Sequence, residues 1–127
     1  MTYLPIIIAL GLGFIAGYLA RNLSFSKQTP AYLVVSTAVV NDEALEPYRQ
    51  EAVPLAQAAG LEILASGEAE LLEGSWEHHP TITVERFDSM DALKSFWHSA
   101  AYQKAKKLRE GHLDVAFIVA VDGAAAG

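Results

Sequence analysis

The sequence predicts an α+β domain of ferredoxin-like βαββαβ order, preceded by a single hydrophobic helix. Three observations carry that prediction. Residues 81–109 read as a strand followed by a broken helix, residues 31–40 and 112–121 are apolar strand-like runs, and residues 4–20 form an uncharged apolar stretch.

The 81–109 unit organises the rest. Ile82, Val84 and Arg86 alternate with Thr83, Glu85 and Phe87, the period of two that a pleated strand imposes. Ser89 follows as an N-cap, with Asp91 placing negative charge in the first helical turn. Leu93, Phe96 and Trp97 then fall on one helical face. Ser99 supplies a second helix start, so the helix is predicted to break there.

The first strand, over residues 31–40, is rich in β-branched residues and apolar on both faces. Asn41 and Asp42 can cap the helix that follows, which runs to Ala59 and stops at Gly60. Pro47 suits its first turn, whereas Pro54 must bend it or leave a carbonyl unpaired. Residues 61–66 and 68–72 are strand-like, with Gly67 expected at a bulge between them. Residues 73–80 read as a loop and residues 124–127 as a tail. In this order, two helices cover one face of a four-stranded antiparallel sheet. The other face is also apolar and is expected to pack against a second copy, giving a homodimer joined through the sheet.

Residues 4–20 contain no charged side chain and reach the short end of what spans a ~30 Å hydrocarbon core. A cleaved signal would need a basic start, and a cut after Ala20 would place bulky Tyr18 at −3. The reading is therefore a retained transmembrane anchor over residues 1–21, a linker over 22–30, and the folded domain over 31–123. Arg21 and Lys27 follow the run, which puts the domain on the cytoplasmic side. Cleavage, with a secreted or periplasmic domain, is the alternative. Gly13 and Gly17 have the spacing of a helix-packing motif, though such matches are common.

A net charge of −6 argues against a nucleic-acid partner, because phosphate neutralisation needs clustered Lys and Arg. With no cysteine, disulfides, thiolate nucleophiles and cysteine-ligated metals are excluded. Glu68, Glu70, Glu73 and Glu77 lack calcium-loop spacing and read as a solvated surface. His78-His79 and the pair His112 and Asp114 lack the further ligands that a metal needs, so neither a metal nor a cofactor is assigned.

Phe87-x-Ser89-Met90-x-Ala92, Phe96-Trp97-His98-Ser99-x-x-Tyr102-Gln103 and Leu108-Arg109, with the Glu73-Gly74 turn, resemble the signature of a small family in the dimeric α/β-barrel superfamily. That family is of unknown function, and the resemblance covers residues 31–123. It implies the fold and the homodimer. Three positions depart from the family pattern. His78-His79-Pro80-Thr81 stands where the family has an arginine entering the third strand. Arg86 replaces an acidic residue, and Ser99-Ala100-Ala101 replaces Ser-Pro-Glu.

The candidate pocket comprises His98, Tyr102, Trp97, Arg86 and Ser99, gathered where the second helix breaks. There His98 and Tyr102 could move a proton on a small molecule, with Trp97 as a wall and Arg86 offering charge to an anion. Two function classes follow. One is a membrane-tethered dimer that binds a small molecule or serves structurally. The other is a small cofactor-independent enzyme, monooxygenase- or isomerase-like, acting between sheet and helices.

Overall fold

The computed structural model describes residues 29–77 and 79–124. The elements run β1 (Ala31–Val39), a 3-10 turn (Glu43–Leu45), α1 (Glu46–Ala59), β2 (Glu62–Glu68), β3 (Thr81–Phe87), α2 (Met90–Trp97), α3 (Ala100–Lys106), a second 3-10 turn (Lys107–Arg109) and β4 (Leu113–Asp122). The four strands form one sheet in the order β2-β3-β1-β4, and every neighbouring pair is antiparallel.

The local signals work as their chemistry requires. Ser89 Oγ accepts from Ala92 N–H at 3.0 Å and Ser99 Oγ from Tyr102 N–H at 3.1 Å, which starts α2 and α3 as separate helices. Asn41 Oδ1 accepts from Ala44 N–H at 3.2 Å. Gly60 closes α1 at φ 80°, a left-handed conformation that costs glycine nothing. α1 runs on through Pro54, whose ring has no N–H to return to the Gln50 carbonyl.

Alternation along the strands separates two faces. Ala31, Leu33 and Val35 of β1 pack with Tyr48, Ala52 and Ala56 of α1, Leu93 and Phe96 of α2, and Tyr102 of α3. The register sets Phe87, Glu85 and Thr83 beside those three β1 residues, so they too face the helices. The spacing Tyr48, Ala52, Ala56 is a single helical stripe, and its small alanines let α1 lie close to the sheet. On the opposite face, Tyr32, Val34 and Ser36 are flanked by Arg86, Val84 and Ile82 on one side and by Val121, Val119 and Phe117 on the other. Phe117, Val119 and Val121 are exposed large apolar residues.

Two sequence expectations are corrected. Residues 68–72 are not a strand beyond Glu68. The last ladder bond runs from Ala69 N–H to the Pro80 carbonyl at 2.8 Å, and Pro80 has no N–H to answer it. The irregularity in β2 falls at Leu64, between Ile63 and Ala65, whereas Gly67 pairs in register with Ile82. No helix among the described residues is long and apolar enough to cross a membrane. The hydrophobic helix expected over residues 4–20, the linker start and His78 lie outside the described residues.

Candidate functional site

The helix-facing side of β3 holds the most unusual chemistry of the domain. Glu85, 1% exposed, stands mid-strand between Thr83 and Phe87. Its neighbour across the ladder is Ile63, next to the Leu64 bulge. Tyr48 from α1 and Tyr102 from α3 meet over the same region, their hydroxyls 2.7 Å apart and their rings edge-on at 6.3 Å. Arg109 completes the cluster. The spacing Tyr102, Ala105, Arg109 keeps one buried stripe running from α3 into the 3-10 turn. It places the guanidinium 5.5 Å from the Tyr48 ring centroid, within cation–π range.

An aromatic wall supports these groups. Phe87 lies 5.6 Å from Phe96, Phe96 lies 4.6 Å from Tyr102, and Trp97 lies 5.3 Å from Tyr102. Lys106 Nζ covers Trp97 at 5.0 Å.

The environment shifts the titrations. Burial pushes the Glu85 carboxyl up to about 8, against a smaller opposing pull from Arg109. At neutral pH the carboxyl is therefore mostly protonated. Burial also raises both tyrosines above their usual value, reinforced for Tyr48 by Tyr102 and opposed in both by Arg109. Three polar atoms at this interface are buried without a hydrogen-bond partner among the described residues: Glu85 Oε2, Arg109 Nε and Thr37 Oγ1. Unpaired buried groups of this kind are rare and costly, and they are what a bound molecule can satisfy.

The residues singled out in the sequence distribute unevenly around this cluster. Tyr102 is in it, and Trp97 backs it. Ser99 caps α3 and also donates to the Phe96 carbonyl at 2.9 Å, so its hydroxyl is engaged in helix geometry. His98 closes α2 and is exposed. Arg86 projects from the opposite face of the sheet and donates to Asp88 Oδ1 at 3.2 Å within its own chain. The structure thus gathers Tyr102 and Trp97, and keeps His98 and Arg86 apart from them. Glu85, Tyr48 and Arg109 were not among the candidate pocket residues, although Arg109 stands in the family signature. Glu85 had a local signal, since a charged residue in phase with Phe87 on one strand must share its face. Tyr48 had none.

Two further features lie elsewhere. His79, 9% exposed, bonds through Nε2 to Asp114 Oδ2 at 2.9 Å, and its Nδ1 has no partner among the described residues. Asp114 thus bonds to a residue from the β2–β3 loop, whereas the sequence paired it with His112. On the open sheet face, a cleft of about 600 Å³ lies between residues 69–76 and the sheet, with Leu71, Leu72, Trp76, Ile82 and Phe117 among its walls. Trp76 Nε1 donates to Ser36 Oγ at 3.2 Å there. No group of three or more potential metal ligands occurs among the described residues.

Fold and site together define a small α+β domain with a polar cluster sealed between its sheet and its helices. The chain belongs to the family described as a domain of unknown function, DUF1330, whose pattern matches residues 30–124. Its fold is similar to the RPA0582 protein of Rhodopseudomonas palustris, a structural genomics target of unknown function. That crystal structure gives a TM-score of 0.62 at 14% identity, over 84% of this chain and 91% of that one. The methylated form of the RPA0582 protein gives 0.58 at 16% identity, over 86% and 91%. At these identities the likeness concerns the fold alone. None of the curated proteins matches the chain.

Proposed function

We propose that this is a ferredoxin-like domain that pairs sheet to sheet into a dimeric α/β barrel and binds a small molecule at the Glu85–Tyr48–Tyr102–Arg109 cluster. One observation carries the binding reading. Glu85 is a fully buried carboxyl on a central-region strand with an oxygen that nothing among the described residues satisfies. Stability alone disfavours such a residue, because an apolar side chain of similar volume would avoid the desolvation cost. A ligand that hydrogen-bonds to it removes the conflict. The candidates Tyr102 and Trp97 belong to this site as a polar group and a wall, whereas Arg86 lies on the other face of the sheet, His98 is exposed and Ser99 serves as a helix cap.

Native mass spectrometry of the purified protein tests the reading. The expected result is a bound small molecule in the natural chain that is lost from Glu85→Val. Full ligand retention in that variant would place the site elsewhere.

A second reading, a cofactor-independent enzyme, is favoured by the Glu85 titration near 8. A group that changes protonation close to neutrality is suited to general acid–base work on a bound substrate. Tyr102 would then hold a substrate oxygen while Glu85 accepts or returns a proton.

The uncharged residues 4–20 support a membrane tether, and Arg21 and Lys27 after them support a domain on the cytoplasmic side. The full chain is expected to sediment with membranes and stay there in alkali. Recovery of a soluble product starting between residues 21 and 31 would show cleavage and overturn the tether.

A further inference from the structure

We propose that the Arg109 guanidinium anchors the carboxylate group of a small organic anion at the buried cluster. This rests on the reading above that the cluster is the ligand site, and it names the class of ligand.

The argument is one of charge. Arg109 is 8% exposed, its Nε has no partner, and it makes no ion pair among the described residues. A buried guanidinium is permanently charged, and leaving it without a counter-charge is expensive. Its interactions are with Tyr48, Tyr102 and Glu85. Tyr48 offers its ring face and Tyr102 its hydroxyl, and burial keeps both phenols neutral at ordinary pH. Glu85 is the carboxyl whose charge couples to Arg109, and at neutral pH it is mostly protonated. The cluster therefore carries about one positive charge that nothing in it balances.

A carboxylate fits what remains. Its two oxygens match the planar fork of a guanidinium, and it can also accept a hydrogen bond from a tyrosine hydroxyl or a protonated Glu85. The surrounding wall of Phe96, Trp97 and Tyr102 favours a ligand whose body is apolar or flat rather than a polyanion.

Charge coupling also fixes a pH signature. When Glu85 ionises, it competes with the ligand for Arg109, so anion affinity should fall as pH rises through the Glu85 titration. Burial keeps the two phenols neutral across that range.

The experiment uses the full chain in mild detergent, with formate, acetate, pyruvate and benzoate as probes. Controls are acetamide, inorganic phosphate and matched sodium chloride. Thermal unfolding and tryptophan emission are followed against probe concentration at pH 6, 7, 8 and 9. The expected result is a saturable rise in Tm with at least one carboxylate and none with acetamide or chloride. Affinity should weaken at least threefold between pH 7 and pH 9, and Glu85→Gln should remove that weakening. Arg109→Gln should abolish saturation. If that variant does not fold, the contrast in pH profile between the natural chain and Glu85→Gln decides the matter. No saturable response to any carboxylate, or an identical pH profile in Glu85→Gln, would overturn the proposal. Saturation by phosphate alone would also overturn the carboxylate class. A neutral molecule found by native mass spectrometry and lost from Glu85→Val would leave the site reading standing while this inference fails.

Discussion

Raising the pH from about 5 to about 9 is expected to cost the domain about 4 kcal/mol of stability through Glu85 alone. The sign follows from proton counting. In the unfolded chain the carboxyl titrates near its model value of 4.5, whereas in the folded domain burial holds it at about 8. Between those values the native state keeps a proton that the unfolded state has released. Stability therefore falls steadily across that window, is fully present below it, and levels off above it. Relaxation or water entry around the ionised carboxyl would reduce the total. Urea unfolding at fixed protein concentration, at unit pH intervals, measures the slope. Histidines and exposed carboxyls contribute a background, so the informative quantity is the difference between the natural chain and Glu85→Gln. Glutamine has nearly the same shape and no titration, so the two proteins should be close near pH 5 and diverge by pH 8 to 9, with the variant the more stable. Parallel profiles would mean that Glu85 is ionised in the folded state. The charge argument for Arg109 would then lose its basis.

Signals that act within a few residues could be read from the sequence. Ser89 and Ser99 cap their helices because a hydroxyl needs only the next turn of backbone to bond. Gly60 ends α1 because only its own φ matters. The alternation in residues 81–87 likewise announced a strand, and the order of elements followed.

What alternation does not say is which face receives the helices. Ile82 and Val84 are the more apolar set, yet the helices cover Thr83, Glu85 and Phe87. That choice is made by strand partners and helix placement, which are set by residues far away in the chain. Tyr48 and Tyr102 meet across 54 positions and His79 and Asp114 across 35, distances over which no spacing rule operates. Residues 68–72 show a different limit. Their side chains suit a strand, but strand formation needs a partner with N–H groups, and Pro80 withholds one. The helix break was legible and drew the candidate pocket toward His98. The unsatisfied charge lies one layer deeper, where only the packed structure reveals it.

Aspartate at Val119 should dissociate the proposed dimer, whereas aspartate at Val35 should unfold the domain. The two valines belong to adjacent, paired strands but to opposite faces of the sheet. Val35 is 1% exposed and sits in the core with Leu33, Tyr48 and Ala52. A carboxylate there has neither solvent nor a cation beside it, so the expected loss is at least about 4 kcal/mol, a large part of a small domain's stability. Val119 is 44% exposed and lies on the open face, in register with Val34 and one strand from Val84. In the isolated domain an aspartate there remains solvated and costs little. In a two-fold dimer the same substitution enters the interface twice, because an isologous contact presents one patch from each copy. At about 1–3 kcal/mol of desolvation per carboxylate, the pair should weaken association by about 30-fold to more than 10⁴-fold. The measurement is light scattering and circular dichroism on the domain expressed from residue 29 onward. That choice removes the hydrophobic residues 4–20, which could associate by themselves. A folded Val119→Asp monomer beside a natural dimer at micromolar concentration is the expected pair of results. A natural domain that is monomeric under the same conditions would refute the sheet-to-sheet dimer. Phe117, Val119 and Val121 would then need a different cover, and the cleft walled by Trp76 and Phe117 is the place where a partner of another kind would have to reach them.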